Sequence, residues 1–127
     1  VYACGPPSLL EAIEQCMGDA GCSRQLHVER FRAPFTDIPD DAVGGRVRFA
    51  QSDVEADGDS ETPLLKVAEE AGMNPPHGCR MGICHTCNTT LVSGCVRDLR
   101  TGEVLNEAGS IVQTCICAAA GDCELDL

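Results

Sequence analysis

The stretch HGCRMGICHTC, residues 77–87, constrains this chain more than any other part of it. It places Cys79, Cys84 and Cys87 in the pattern C-x4-C-x2-C, and 27 residues separate Cys87 from Cys115. The chain has ten cysteines in 127 residues, which is more than ordinary packing requires. A cysteine-rich sequence of this length indicates a disulfide scaffold, a zinc site or an iron–sulfur centre.

The spacing favours an iron–sulfur centre. Three cysteines in a tight loop and a fourth far along the chain are typical of plant-type [2Fe–2S] sites, in which four thiolates hold two irons. Such a centre also needs hydrogen-bond donors close to its sulfur atoms. Gly78 and Gly82 have no Cβ, so the backbone can approach the centre and turn its N–H groups inward. Arg80 adds a positive charge near the same loop, or else points into solvent.

Other kinds of site agree less well with these residues. A zinc site prefers paired C-x2-C units, and only Cys84 and Cys87 form one. A disulfide scaffold requires an oxidising compartment, of which the sequence shows no sign, and it leaves the loop glycines unexplained. A Rieske centre requires two histidine ligands. We expect His77 and His85, which lie beside the loop cysteines, to be exposed loop residues instead.

Residues 46–127 have the patterns of a small mixed α+β domain. Apolar residues first alternate with polar ones, as in a half-buried strand, and a helical apolar stripe then follows a Thr-Pro pair. The predicted order of strand, strand, helix, long loop and strands indicates one small sheet with one main helix. Before the cysteine loop, the predicted elements are a strand through Val47 and Phe49, a turn at 52–53, a strand at 54–58, and a helix capped by Thr62 that begins at Pro63 and ends at Gly72. After the loop, they are a strand at 88–94 closed by Ser93-Gly94, a turn at Thr101-Gly102, and strands at 110–117 and 123–127.

Residues 1–34 have a different pattern, that of a strand, a helix and a second strand. Residues 1–4 predict the first strand, and Ser8 and Glu11 form a capping box before an apolar helical stripe. The helix is expected to end at Gly18 or Gly21. The second strand is predicted for QLHVERF, residues 25–31.

Parallel strands are normally buried on both faces. We therefore expect residues 1–34 to be the C-terminal fragment of a larger nucleotide-binding α/β domain. Residues 35–45 contain prolines, acids and a glycine pair with no period, and they predict a linker to the domain at 46–127.

The chain is strongly acidic, since nine Lys and Arg against 20 Asp and Glu give a formal net charge of −11. Such a surface repels nucleic acid and anionic membranes and would steer the protein towards a basic protein partner, although solubility explains the same acidity. Residues 1–17 do not form a secretory signal, and no apolar run approaches the roughly 18 residues of a membrane-spanning helix. We expect a cytoplasmic protein with no membrane span and no nucleic-acid partner.

Two segments resemble known families. Residues 46–127 are similar to plant-type [2Fe–2S] ferredoxin domains of β-grasp fold, through HGCRMGICHTCNTTLVSG, VQTC and the closing GDCELDL. Residues 1–32 resemble the end of the pyridine-nucleotide domain of ferredoxin–NADP reductase-type flavoproteins, through YACGPP and ERF. Phthalate dioxygenase reductases, vanillate demethylase reductases and related reductases of fatty-acid desaturases carry the two domains in this order.

The resemblance implies a set of site residues. It assigns the cluster ligands to Cys79, Cys84, Cys87 and Cys115, with Gly78, Arg80 and Gly82 in the cluster loop. It places Cys4, Gly5 and Pro6 beside the nicotinamide, Glu29 in the nicotinamide region and Phe31 near the flavin.

The resemblance also implies a function. In the intact oxidoreductase, NAD(P)H would reduce FAD or FMN, and the [2Fe–2S] cluster would pass single electrons to an oxygenase, hydroxylase or desaturase. This chain alone would be an electron-transfer unit that binds neither flavin nor NAD(P)H usefully. Two alternatives remain open: a stand-alone ferredoxin, and a zinc-stabilised module with no redox role.

The other cysteines are less informative. Cys117 follows Cys115 by two residues, so in a strand both would point to the same face. The ferredoxin-like TC pattern favours Cys115 as the ligand. Cys16 is expected in the core of the first helix, and Cys22, Cys95 and Cys123 have no partner spacing.

Overall fold

The computed structural model describes residues 1–30 and 35–127. The chain divides into two compact units, Val1–Arg32 and Ala33–Leu127. The predicted boundaries between residues 1–34, 35–45 and 46–127 stay predictions. Phe31 and the end of the predicted second strand lie outside the described residues.

The N-terminal unit contains two short parallel strands joined through a helix. Its elements are β1 (Tyr2–Cys4), α1 (Pro7–Asp19), a short 3-10 helix (Ser23–Gln25) and β2 (His27–Glu29). The register places Cys4 opposite Glu29, so the carboxyl ends of both strands lie side by side. This is the strand–helix–strand order that the sequence predicts.

The two ends of α1 compare differently with the sequence. The capping box at Ser8 and Glu11 was a wrong prediction, because α1 begins at Pro7 with Pro6 at the N-cap and no side-chain cap. Proline at the first helical position has a suitable φ and no N–H to satisfy, so Ser8 already lies inside the first turn.

Of the two glycines expected to end this helix, Gly21 does so. Its φ is +69°, and the N–H groups of Gly21 and Cys22 donate to the carbonyls of Gly18 and Met17 at 2.9 and 2.8 Å. This is the Schellman arrangement.

The C-terminal unit contains a mixed sheet and one helix. The first and last strands of its main sheet, β3 and β8, pair in parallel, and the order across that sheet is β4-β3-β8-β5-β6, with β7 paired to β5. The elements are β3 (Gly45–Phe49), β4 (Val54–Gly58), α2 (Leu64–Glu70), β5 (Asn88–Asp98), β6 (Val104–Leu105), β7 (Ile111–Gln113) and β8 (Cys117–Leu125).

The core of this unit lies between α2 and the sheet, and it extends to the cysteine loop. Leu64, Leu65, Val67 and Ala68 of α2 are buried. They belong to one apolar cluster together with Cys87, Cys115 and the strand residues Val47, Phe49, Leu91, Val96 and Leu125. The packed interior therefore holds two of the cysteines on which the site depends. No helix in the described part of the chain is long and apolar enough to span a membrane.

The predicted cap of α2 was wrong. The helix begins at Leu64 with Pro63 at the N-cap and no side-chain cap. The carboxylate of Asp59 instead accepts hydrogen bonds from the N–H of Glu61 and the hydroxyl of Thr62, both at 2.8 Å. Because the Thr62 hydroxyl donates to Asp59, it orders the turn before the helix and does not cap it.

Two strand boundaries also differ from the prediction. Ser93-Gly94 does not close the strand, since β5 continues to Asp98 through register shifts on both sides of this pair. The predicted strand at 110–117 is interrupted: β7 ends at Gln113, and a turn over residues 114–116 precedes β8. Cys115 therefore lies in a turn and Cys117 in a strand, so the premise that both share one strand face was wrong.

Candidate metal centre

The cysteine loop turns several backbone N–H groups towards its own sulfur atoms. The Sγ atom of Cys79 accepts hydrogen bonds from the N–H groups of Met81, Ile83 and Cys84 at 3.3, 3.4 and 3.3 Å. In return, the N–H of Cys79 donates to the Sγ of Cys84 at 3.2 Å. Donors of this kind stabilise negative charge on sulfur, which a thiolate-bound cluster requires.

The four predicted ligands lie as two pairs of thiols. Cys79 and Cys84 form an outer pair through the reciprocal N–H···S bonds. Cys87 and Cys115 form an inner pair, with their sulfurs 3.3 Å apart and each residue only 4% exposed. Two irons joined by two sulfides need two thiolates each, so two pairs fit a [2Fe–2S] cluster.

The described part of the chain forms no site for a single metal ion. Within residues 1–30 and 35–127, no three His, Cys, Asp or Glu side chains lie close enough together to hold one metal ion. The described part of the chain also holds all ten cysteines as free thiols. This geometry differs from the closed four-ligand arrangement of structural zinc sites. Cys16 on α1 is exposed, so the expectation that it lies in the core was wrong.

The loop glycines leave space that neighbouring side chains occupy. A Cβ on Gly78 would lie 2.7 Å from the Sγ of Cys84, which is closer than real Cβ contacts. A Cβ on Gly82, whose φ is +76°, would lie 2.9 Å from the Nη1 of Arg100 and 3.2 Å from the side chain of Ile116. A side chain at Gly78 would therefore displace the sulfur of Cys84, and one at Gly82 would displace Arg100 and strain the backbone.

Two of the four predicted ligands have strongly shifted pKa values. Hydrogen bonds from the Thr86 hydroxyl first, and then from backbone N–H groups, lower the pKa of the exposed Cys84 to about 6. Burial, followed by the hydrogen bond with Cys87, raises the pKa of Cys115 to about 12. Because metals bind thiolates, Cys84 is preorganised for binding, whereas Cys115 must lose its proton as the metal enters.

Arg80 does not simply point into solvent. Its guanidinium donates to both carboxylate oxygens of Glu69 on α2, with Nη1 to Oε2 at 3.1 Å, and its Nη2 lies 3.2 Å from the His77 Nε2. The hydrogen bond from Arg80 lowers the pKa of Glu69. This exposed ion pair ties the cysteine loop to the helix.

The histidines beside the loop contact other protein groups. The His77 Nδ1 lies 3.0 Å from the carbonyl of Pro75, and the His85 Nδ1 lies 3.2 Å from the side-chain amide of Gln113. Both histidines are exposed, as the sequence predicts.

Cys117 lies apart from the loop. It is 2% exposed on β8, a backbone hydrogen bond from Gln113 reaches its sulfur, and burial raises its pKa to about 12. Cys115, in the turn before it, is the residue whose sulfur reaches Cys87. The choice of Cys115 over Cys117 as ligand stays a prediction, and the contact between the sulfurs of Cys87 and Cys115 favours it.

The residues predicted to lie beside the nicotinamide fall at one edge of the N-terminal unit. Cys4 and Glu29 end the paired parallel strands, Gly5 follows, and Pro6 begins the turn into α1. Ligands of open α/β sheets bind outside the carboxyl ends of such strands. Phe31, which the resemblance places near the flavin, lies outside the described part of the chain.

Sequence reasoning missed three residues at the centre: Thr86, Asp98 and Arg100. Thr86 hydrogen-bonds Cys84, and Arg100 lies against Gly82 while paired with Asp98. Thr86 stands directly before the predicted ligand Cys87, so its position in the sequence could have indicated a role at the site. Asp98 and Arg100 are far from the loop in sequence, and no motif marks them.

The mixed sheet, the single main helix and the two thiol pairs at the edge of the core define a [2Fe–2S] ferredoxin-type domain. The chain belongs to the family described as "2Fe-2S iron-sulfur cluster binding domain", whose model matches residues 47–120.

Known proteins match nearly the whole chain. It is 48% identical over 126 residues to an NADPH oxidoreductase of Mycobacterium tuberculosis, covering 99% of this chain and 32% of that protein. It is 33% identical to the heme-dependent oxidative N-demethylase beta subunit of Ectopseudomonas mendocina, covering 95% of this chain and 38% of that protein. The solved structure of phthalate dioxygenase reductase, described as modular for electron transfer from pyridine nucleotides to [2Fe–2S], superposes with a TM-score of 0.59 at 28% identity, covering 100% of this chain and 39% of that one.

These findings confirm the resemblance to reductases with a ferredoxin domain, the α+β ferredoxin-like fold and the [2Fe–2S] cofactor. The relatives are oxidoreductases and components of oxygenase and demethylase systems. The chain spans about a third of the length of these relatives.

Proposed function

We propose that this chain is the C-terminal, electron-delivering part of an NAD(P)H-dependent flavoprotein reductase. In the intact protein, FAD or FMN would accept a hydride and release its two electrons singly to the [2Fe–2S] domain. The single observation that carries the proposal is the arrangement of four thiols in two pairs, one buried and one at the surface. Matches to reductases along 99% of the chain, beyond the ferredoxin domain, favour this function over a stand-alone ferredoxin.

The residues of the chain would hold the cluster and bring it close to solvent. The ligands would be Cys79, Cys84, Cys87 and Cys115, which stay a proposal. The side chain of Ile83, between the outer two, is 67% exposed. Electrons would therefore leave through this loop, where a partner can approach the cluster closely.

The loop donors would also help to set the cluster's potential. Plant-type clusters have potentials of about −400 mV, and hydrogen bonds to the sulfurs are one of the factors that set this value. Cys79 receives three such N–H bonds and Cys84 receives one from Cys79. A potential in this range allows one-electron transfer to an oxygen-activating partner.

The partner would be an oxygenase, hydroxylase or desaturase that offers a basic surface. This chain has 20 acids against nine bases, and complementary charge mainly accelerates and orients docking. We expect a transient complex whose rate of electron transfer falls as the salt concentration rises. Ten free thiols favour a reducing compartment, so we place the protein in the cytoplasm.

The N-terminal unit would be the end of the NAD(P)H-binding domain, with residues 35–45 as the linker to the ferredoxin domain. Cys4, Gly5 and Pro6 would lie beside the nicotinamide, with Glu29 next to them at the paired strand ends. Phe31, assigned by resemblance alone, would lie near the flavin.

Anaerobic reconstitution of this chain with iron and sulfide tests the proposal. We expect a red-brown protein with about two irons and two sulfides per chain, silent in EPR until dithionite adds one electron. A colourless protein that binds one zinc would instead support the non-redox alternative, because zinc thiolates do not absorb visible light. A matched variant, Cys79→Ser, should lose the colour.

A further inference from the structure

Asp98 and Arg100 lie next to two of the sulfur-bearing positions, although they are distant from the cysteine loop in sequence. Asp98 is the last residue of β5 and pairs directly with Cys117 of β8. The antiparallel contact then continues one residue further, since the N–H of Leu99 donates to the carbonyl of Ile116 at 2.8 Å. Arg100 lies in the turn that follows, close enough to Cys117 and Cys115 for their charges to act on its guanidinium.

The guanidinium of Arg100 reaches the cysteine loop itself. Its Nη1 lies 2.9 Å from the point where a Cβ of Gly82 would be. Gly82 stands inside the C-x4-C segment, between Cys79 and Cys84, and its φ of +76° also disfavours other residues. The absence of a side chain at Gly82 thus makes room for the positive charge of Arg100 at the cysteine loop.

Asp98 fixes the position of this charge. Its Oδ1 accepts from the backbone N–H of Arg100 at 2.8 Å, and its Oδ2 accepts from the Nη2 at 3.2 Å. The two side chains are 36% and 17% exposed, so solvent screens their charges less than those of a free surface pair. Hydrogen bonding to Asp98 raises the pKa of Arg100, which keeps the guanidinium charged at every pH of interest.

We propose that Arg100 raises the reduction potential of the cluster and that Asp98 partly offsets this effect. A [2Fe–2S] core with four thiolates carries −2 when oxidised and −3 after one electron enters. A nearby positive charge stabilises the reduced form more than the oxidised form, and a nearby carboxylate does the reverse. The inference requires the cluster but does not depend on which partner receives the electron.

The test is a redox titration of the reconstituted chain, with mediators, followed by visible absorption and EPR. Arg100→Gln should shift the reduction equilibrium about three- to tenfold towards the oxidised form, which is about 30–60 mV lower at 59 mV per tenfold change. Arg100→Lys, which keeps the charge, should shift it less than about twofold. Asp98→Asn should move it in the opposite direction to Arg100→Gln, because the amide can still accept the backbone hydrogen bond while the negative charge is gone.

Arg46→Gln is the matched control for the loss of one positive charge. Arg46 also pairs with a carboxylate, Glu55, at 3.9 Å. Its backbone N–H donates to the carboxylate of Asp122 at 2.8 Å, and Asp122 is five residues along β8 from Cys117, which is about 17 Å at about 3.3 Å per residue. This exceeds the screening length of about 10 Å in 0.1 M salt, so its removal should leave the potential within about twofold.

The proposal would be established if Arg100→Gln and Asp98→Asn shift the reduction potential in opposite directions. Arg100→Lys and Arg46→Gln should then stay near the wild-type potential. Equal potentials for Arg100→Gln and Arg46→Gln would overturn it, as would shifts of the same sign for Arg100→Gln and Asp98→Asn. If Arg100→Gln does not fold, the direction of the Asp98→Asn shift decides. A wild-type chain that forms no cluster would overturn both this inference and the proposed function, whereas unchanged potentials would overturn the inference alone.

Discussion

Replacing Gly78 by alanine should weaken cluster binding without unfolding the chain. The new Cβ would lie 2.7 Å from the Sγ of Cys84 and 3.2 Å from the hydroxyl of Thr86. Ordinary contact of a Cβ begins near 3.4 Å, so the sulfur must move by about 0.7 Å. Metal–ligand distances tolerate about 0.2 Å, and the displaced thiolate therefore cannot keep its bond without moving the loop.

The size of the effect follows from the cost of inserting a methyl group. Overpacking costs about 1–3 kcal/mol, which is a loss of about 5- to 140-fold in retention of the cluster. The metal-free chain should change by less than about 0.5 kcal/mol, because Gly78 is exposed and its backbone is one that alanine can adopt.

The assay compares iron and sulfide per chain after anaerobic reconstitution, and then the rate at which a chelator removes the iron. Gly18→Ala is the matched control, since the nearest atom to its new Cβ, the Ser23 Oγ, lies 3.8 Å away. A Gly78→Ala chain that binds two irons and releases them at the wild-type rate would refute the reasoning. So would a large loss of stability in its metal-free form.

Three further predictions concern the thiols and one bulge. Cys117→Ser should keep the cluster, as measured by iron content, and loss of the cluster would show that Cys117 is the fourth ligand. In the metal-free chain, the reaction of Cys84 with iodoacetamide should have its midpoint near pH 6, against about pH 8.5 in the denatured chain, because the lowered pKa makes Cys84 a thiolate at neutral pH. Peptide mass spectrometry measures the extent of the reaction at each pH, and equal midpoints would contradict the prediction. Gly94→Ala should destabilise the metal-free chain by about 2–4 kcal/mol in urea, since its Cβ would lie 2.0 Å from a backbone oxygen at a φ of +86°. Gly109→Ala, with a φ of +90° and no atom within 4 Å, should cost only about 1–2 kcal/mol, and an equal loss would argue against the clash.

The features that could be predicted from the sequence are those that local chemistry decides. Gly21 and Gly72 end their helices with φ values of +69° and +85°, which few other residues adopt. The spacing of the loop cysteines identified the cluster, since four thiolates in that order have few other uses. In these cases, residues that are close in the chain contain the whole physical cause.

The features that could not be predicted depend on residues that are distant in the chain. Thr62 matched a capping pattern, but the carboxylate of Asp59 holds its hydroxyl. Gly94 resembled the end of a strand, yet β5 continues because glycine there allows the backbone of β8 to pass closely. Arg100 reaches the loop only because β5 and β8 pair with Asp98 opposite Cys117. No local pattern contains such contacts.

The position of the cysteine loop between two anchored ends explains how exposed thiols can be held in order. Before the loop, α2 ends in a Schellman turn in which Met73 donates to the carbonyl of Ala68 at 3.0 Å, and Met73 packs against the core. After the loop, the buried Cys87 leads directly into β5, and its carbonyl accepts from the N–H of Thr114 at 3.3 Å. The core thus fixes the inner thiol pair and both ends of the loop. The outer pair is ordered by backbone hydrogen bonds, which can be formed at the surface without burial of the side chains.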